Sequence, residues 1–153
     1  MITLKKGDKA PDFTAQDQEG RVIKLSDYIG KRVALYFYPK DMTPGCTNQA
    51  CSIRDGFSTL KKEGVIVLGV SADDENKHQR FIEKYNLPFT LIADTDKKVI
   101  QLYGVWGPKS FMGKKYDGLH RTTFLINEDG TIHTIITKPN TKNHSEEIIE
   151  KFK

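Results

Sequence analysis

Three near-continuous apolar runs punctuate the chain: RVALYFYP (residues 32–39), GVIVLGVS (64–71) and FTLIAD (89–94). Short runs that do not alternate with polar positions suit strands buried on both faces, as in a parallel sheet. Between them the period changes. Cys46, Ala50, Ile53, Phe57 and Leu60 recur at steps of four, three, four and three, an apolar stripe that predicts a helix over residues 44–62. DENKHQRFIEKYN (74–86) predicts a second, mostly polar helix, and TDKKVIQLYG a short third one. Alternation elsewhere predicts antiparallel pairs. Residues 12–27 read as a hairpin around DQEG, and RTTFLINEDGTIHTII as two strands joined by a turn around Glu128, Asp129 and Gly130. NHSEEIIEKF closes the chain with a helix for which Ser145, ahead of two acids, is a reasonable N-cap.

The order is thus hairpin, βαβ, αβ, α, hairpin, α. Parallel strands with crossover helices plus an antiparallel pair make a mixed α/β sheet covered on both faces. This is compatible with a thioredoxin-like fold carrying an N-terminal hairpin extension. The 153 residues favour one domain spanning 1–153, long enough to build a core without disulfide or metal staples. No internal repeat, low-complexity tract or linker interrupts it.

Composition changes this picture little. Charged residues make up 29% and hydrophobic ones 37%, an ordinary soluble balance. A net charge of +4 hints at an anionic partner, but the bases are interleaved with acids in KKEG, DDENKHQR and EEIIEKFK. Such interleaving reads as a solvated surface and argues against nucleic acid binding. The opening MITLKKGDKAPDF has no apolar signal region, and no run approaches the length of a membrane span. A cytoplasmic protein without membrane contact is expected. The chain has two cysteines, and in that setting a static disulfide is disfavoured.

Both cysteines fall in one short stretch. YPKDMTPGC joins a buried strand to a helix, with Thr43 and Pro44 suited to the N-cap and first helical position. Cys46 then lies in the first turn, where free N–H groups and the helix dipole favour an anion such as a thiolate. Ligands of open α/β sheets also bind at strand ends of this kind. Yet Cys46 begins the apolar stripe, and free cysteines often serve as small buried hydrophobes, so spacing leaves a core role and a nucleophilic one equally open. Metal binding is not expected: a C-x4-C pair needs further ligands, and His78, His120, His133 and His144 are scattered. The C-x-x-C spacing of simple disulfide oxidoreductases is absent. Five residues advance a helix by about 7.5 Å and turn it by roughly 140°, whereas a disulfide needs Cα atoms about 4.4–6.8 Å apart. If Cys46 and Cys51 ever bond, the first turns of the helix must unwind, and the bond is a conformational switch.

YFYPKDMTPGCTNQAC (36–51) resembles the P-x-x-x-[TS]-x-x-C segment of peroxiredoxins, with Pro39, Thr43 and Cys46 at the motif positions. The second cysteine five residues on is similar to the PrxQ, or bacterioferritin comigratory protein, subfamily. GDKAPDFTAQDQEG, GVIVLGVSAD, YNLPFTLIAD, YGVWGPKSFMGKKYDGLHRTTFLI and NEDGTI look like the same subfamily in the same order, so the resemblance covers essentially the whole chain. It implies a thioredoxin-fold thiol peroxidase acting on hydrogen peroxide and organic hydroperoxides. Cys46 is then the peroxidatic residue, whose thiolate attacks the peroxide and becomes a sulfenic acid. Thr43 hydrogen-bonds peroxide and thiolate, Pro39 shields the sulfur from water, and the fixed charge of Arg121 stabilises the thiolate and polarises the peroxide. Without the resemblance, Arg121 reads as half of a surface ion pair.

Cys51 matches the resolving position. Its implied partner is the Cys46 sulfenic acid, giving an intramolecular disulfide that thioredoxin reduces by exchange. No metal, flavin or haem is implied, and a bond within one chain points to a monomer. Gln49 stands where many related sequences carry glutamate, which is expected to tune the site without abolishing it. Tyr36 and Tyr38 are expected to be core aromatics with a polar tip, and Trp106 and Phe111 to lie in a loop, possible walls of the entrance. The rival readings are a thiol–disulfide exchange protein and a redox-sensing binding module. Neither needs the Thr43–Cys46–Arg121 constellation.

Overall fold

The apolar runs form three adjacent strands, from the centre to one edge, of a five-stranded sheet in the computed structural model, which describes residues 2–153. β1 (Thr14–Gln16) and β2 (Val22–Lys24) form the N-terminal hairpin; β3 (Arg32–Phe37), β4 (Val65–Ser71) and β5 (Thr90–Ala93) are the three runs. β6 (Trp106–Phe111) and β7 (Lys114–Leu119) pair with each other, and β8 (Thr122–Ile126) and β9 (Ile132–Ile136) complete the main sheet in the order β5-β4-β3-β8-β9. β3, β4 and β5 run parallel; β8 is antiparallel to β3, and β9 to β8. This is the mixed α/β arrangement expected from the patterns. The helices are α1 (Pro44–Asp55), α2 (Phe57–Lys62), α3 (Glu75–Tyr85), α4 (Lys98–Leu102) and α5 (His144–Phe152). Among the described residues no helix is long and apolar enough to cross a membrane.

β3 shows why the sheet is covered on both sides. Successive side chains of a strand point to opposite faces. Val33, Leu35 and Phe37 enter one core layer with Ile100, Tyr103 and Phe124, whereas Ala34 and Tyr36, with Tyr38 just beyond, enter the other with Cys46, Ala50, Ile53 and Phe81. The stripe read from the sequence is therefore real: Cys46, Ala50, Ile53 and Leu60 are all buried, with Phe57 packed partly against them.

Three local features depart from expectation. The helix predicted over 44–62 breaks at Gly56, because the start of α5 lies against it; a Cβ there would sit inside contact distance of the Ser145 side chain. The same packing moves the cap of α5. The helix begins at His144, whose N–H donates to Ser52 Oγ of α1 at 3.1 Å, so Ser145 is within the helix and does not cap it. Trp106 and Phe111, expected in a loop, belong instead to the β6–β7 hairpin of residues 106–119. Its two turn residues, Met112 and Gly113, have φ of 51° and 81°. A two-residue turn with positive φ normally advertises itself through Asn or Asp before Gly, and methionine conceals it.

Candidate active site

Cys46 owes its position to the crossover from β3 to α1. The chain leaves the sheet through Tyr38 and half-buried Pro39, then turns at Lys40–Thr43, where Met42 takes a left-handed φ of 68°. Thr43 is the N-cap residue by backbone conformation and Pro44 opens the helix, as expected, but the Thr43 hydroxyl does not cap. It donates to Lys40 O at 2.8 Å, which leaves its oxygen lone pairs open to accept a further hydrogen bond. The first-turn N–H groups, with no side-chain cap, keep their partial positive charge. Side chains on a helix tilt toward its N-terminus, so the Cys46 thiol lies within that field. It is 1% exposed.

Arg121 arrives from elsewhere in the chain. The β3–β8 register pairs Phe37 with Thr122, so the residue before Thr122 stands level with the end of β3, where the crossover begins. Arg121 Nη2 donates to Cys46 Sγ at 3.3 Å and Nη1 to Gln49 Oε1 at 2.6 Å. Gly45 makes room for this approach, since a Cβ there would meet Nη2 at 3.1 Å. Among the described residues no carboxylate pairs with Arg121. Its second neighbour is the neutral Gln49 amide, so no acid competes with Cys46 Sγ for the guanidinium.

Cys51 is half-buried in the same uninterrupted helix, and both thiols are free. The fold thus brings Thr43, Cys46 and Arg121 to one place, joined to the strand end by Pro39, and keeps Cys51 a turn and a half further along α1. Three buried polar atoms around these turns have no hydrogen-bond partner: Tyr36 OH, Thr47 Oγ1 and Gln49 Nε2. Burial pushes the Tyr36 phenol well above its ordinary value, and Asp41 and Cys46 add to the shift. Trp106, read as a wall of the entrance, is half-buried at the base of the β6–β7 hairpin, with Lys97 Nζ 5.1 Å from its ring centroid. Phe111 is 66% exposed near the hairpin tip.

Sequence reasoning missed a buried polar network behind the crossover. Tyr38 OH donates to Asp41 Oδ1 (2.5 Å), and Asp41 Oδ2 lies 2.7 Å from His78 Nδ1. Asp41 N–H donates to Asp73 Oδ2 (2.8 Å), which also accepts from Ser71 Oγ (2.7 Å). His78 Nε2 lies 2.8 Å from Ile92 O. Burial opposes a charge on His78, but the Asp41 hydrogen bond and charge, with Ile92 O and Asp73, outweigh it and hold the imidazole above its ordinary value. His144 is the opposite case. Burial holds it below its ordinary value, aided by the charge of Arg121 and opposed by Glu147. Its neutral ring suits its partners: Nδ1–H donates to Glu147 Oε1 and Nε2 accepts from the Thr123 hydroxyl, both at 2.8 Å. The mostly polar reading of its helix hid His78, although its place three, four and seven residues before Phe81, Ile82 and Tyr85 sets it on the inward face.

Comparison with known proteins bears on this geometry. The AhpC/TSA family profile matches residues 6–135. The chain is 52% identical to Peroxiredoxin Bcp of Escherichia coli (strain K12) over 153 residues, covering 100% of this chain and 98% of the relative. A crystal structure of a Xylella fastidiosa PrxQ mutant superposes with a TM-score of 0.92 at 27% identity, covering 99% of this chain and 97% of the other. A Xanthomonas campestris bacterioferritin comigratory protein, studied for its alkyl peroxide reduction activity, superposes with a TM-score of 0.84 at 28% identity, covering 90% and 88%.

Proposed function

This chain belongs to the AhpC/TSA family, among the PrxQ/Bcp peroxiredoxins, and is a peroxidase of that class; we propose that Cys46 is its peroxidatic residue and Cys51 its resolving one. The observation that carries the assignment is the 3.3 Å contact from Arg121 Nη2 to Cys46 Sγ in the first turn of α1. In the first half-reaction the Cys46 thiolate attacks the distal oxygen of a hydroperoxide. An S–O bond forms as the O–O bond breaks, the departing oxygen takes up a proton as water or alcohol, and Cys46 is left as a sulfenic acid. Arg121 stabilises the thiolate and then the charge developing on the peroxide oxygens. The Thr43 hydroxyl, already donating to Lys40 O, accepts from the peroxide O–H. Pro39 helps keep water from the sulfur.

The second half-reaction needs α1 to unwind, since an intact helix holds the two thiols apart. Unwinding breaks the Ser52 Oγ–Gln49 O bond and the tie from His144 N–H to Ser52 Oγ. Against that cost, it lets water reach Tyr36 OH, Thr47 Oγ1 and Gln49 Nε2, which the folded helix leaves buried and unpaired. Cys51 then attacks the Cys46 sulfur, water departs, and an intramolecular disulfide forms. A dithiol protein, thioredoxin, reduces it by exchange. The cycle needs one chain, so the enzyme works as a monomer, in the cytoplasm. Hydrogen peroxide and organic hydroperoxides both serve as substrates, the latter by analogy with the Xanthomonas campestris relative.

The test is hydroperoxide consumption coupled to thioredoxin, thioredoxin reductase and NADPH. Cys46→Ser is expected to abolish turnover, and Cys51→Ser to react once with peroxide but lose recycling. Normal peroxidase activity in Cys46→Ser would refute the assignment.

A further inference from the structure

The buried network behind the crossover has no role in the two half-reactions, yet it grips the turn that carries Thr43 and opens α1. Asp41 is two residues before Thr43. Both its carboxylate oxygens and its backbone N–H are engaged, by Tyr38 OH, His78 and Asp73 respectively. The residue it precedes, Met42, has a φ of 68°. A methionine in the left-handed region persists only where its surroundings over-determine it, and such residues cluster at functional sites. The restraint here is Asp41, held by Tyr38, Asp73 and His78 together, and of these three His78 is the one able to bring a positive charge to the carboxylate.

His78 is fully buried, and both ring nitrogens face atoms that carry no hydrogen: a carboxylate oxygen at 2.7 Å and the Ile92 carbonyl at 2.8 Å. Only an imidazolium donates to both. The groups around it favour that form. Asp41 and Tyr38 face it from the end of β3, Asp73 and Ser71 from the end of β4, and the Ile92 carbonyl from β5. On its own helix Lys77 Nζ lies 3.9 Å from Asp73 Oδ1 and tempers that second acid. Loss of the ring proton would set a lone pair against the Asp41 carboxylate or leave Ile92 O unpaired in the core, and either outcome loosens Asp41.

We propose that His78 is a positioning residue for peroxide reduction: as an imidazolium it fixes Asp41, and Asp41 holds the strained Lys40–Thr43 turn in the form that presents the Thr43 hydroxyl to the peroxide at Cys46. The proposal rests on the assignment of Cys46 and Thr43 above. It separates two rates at one thiol. Peroxide reduction needs the Thr43 cradle, whereas alkylation by iodoacetamide needs only the thiolate.

Both rate constants are to be measured against pH on the full chain carrying Cys51→Ser, alongside ring-nitrogen NMR of 15N-histidine-labelled protein. The expected spectrum shows His78 doubly protonated at neutral pH; a neutral ring there overturns the proposal. His78→Gln and Asp41→Asn are each expected to slow the peroxide reaction roughly 10- to 100-fold, the range for a small misplacement of a catalytic group, with alkylation unchanged. An unchanged ratio of the two rates in both variants overturns it. In the chain with His78 intact, the ratio must fall at the pH where NMR shows His78 losing its proton; a ratio that holds through that pH, or falls while the proton stays, overturns it without any substitution at the pair. If no Cys46-dependent peroxide reaction occurs at all, the parent assignment fails, a result distinct from each of these.

Discussion

Removing the Arg121 charge is the most direct probe of the proposed activation of Cys46. In Arg121→Met a side chain of similar reach remains, but the hydrogen bonds to Cys46 Sγ (3.3 Å) and Gln49 Oε1 (2.6 Å) are lost. Two unit charges 3.3 Å apart attract by about 5 kcal/mol at an effective dielectric near 20, an upper bound for a half-buried pair. Hydrogen bonds to charged groups contribute about 1.5–3 kcal/mol net. At about 1.4 kcal/mol per tenfold, the lower range corresponds to roughly 10- to 140-fold in rate. Arg121→Lys keeps the charge but lacks the fork that spans Gln49 and Cys46, so an intermediate loss is expected. The assay is the second-order rate constant for hydrogen peroxide by stopped flow, paired with iodoacetamide alkylation. On the assignment proposed above, Arg121 acts on the thiolate itself, so both rates are expected to fall in Arg121→Met, unlike at His78, with peroxide falling further because the leaving oxygen also loses a cation. A peroxide rate in Arg121→Met equal to wild type would refute the reasoning.

Further expectations concern the cradle, the helix break and pH. Thr43→Val keeps the shape of the turn but removes the hydroxyl that donates to Lys40 O, and should slow peroxide reduction by about tenfold or more while sparing alkylation; equal loss in both rates would point to simple misfolding. Gly56→Ala should cost about 1–3 kcal/mol by overpacking against Ser145. That is a melting temperature lower by about 2–4 °C per kcal/mol for a chain of this size, partly restored by adding Ser145→Gly. Folding stability should peak near pH ~6.5, the ordinary histidine value. His78 is raised, so its contribution is present below that pH and lost as pH rises through its folded value. His144 is lowered, so its contribution is present above that pH and lost on the way down to its folded value. Urea midpoints across pH check this: His78→Gln should flatten the alkaline decline and His144→Gln the acid one, and slopes of opposite sign would contradict it.

Much of the site was legible because its parts are local. The run into Pro39, the Thr43–Pro44 helix start and the Cys46 stripe sit within one strand–turn–helix unit, where adjacent residues dictate conformation. The i, i+5 spacing of Cys46 and Cys51 implied separated thiols, and α1 runs unbroken through both. Local pattern failed where a distant segment intervened. α5 lands on Gly56 and splits the helix, and Ser52, ninety-two positions away in sequence, takes over the capping assigned to Ser145. The β6–β7 hairpin was hidden by a methionine at a position that favours asparagine.

The sequence by itself determined the buried strands, the order of α and β elements and the place of Cys46 in the first turn of a helix, because hydrophobic period and capping act over a few residues. Only tertiary structure decided the rest. Arg121 reaches Cys46 across seventy-five positions through the β3–β8 register, and His78 pairs with Asp41 thirty-seven positions earlier. A charge acts through distance in space and through exclusion of water, and neither is written in the order of residues.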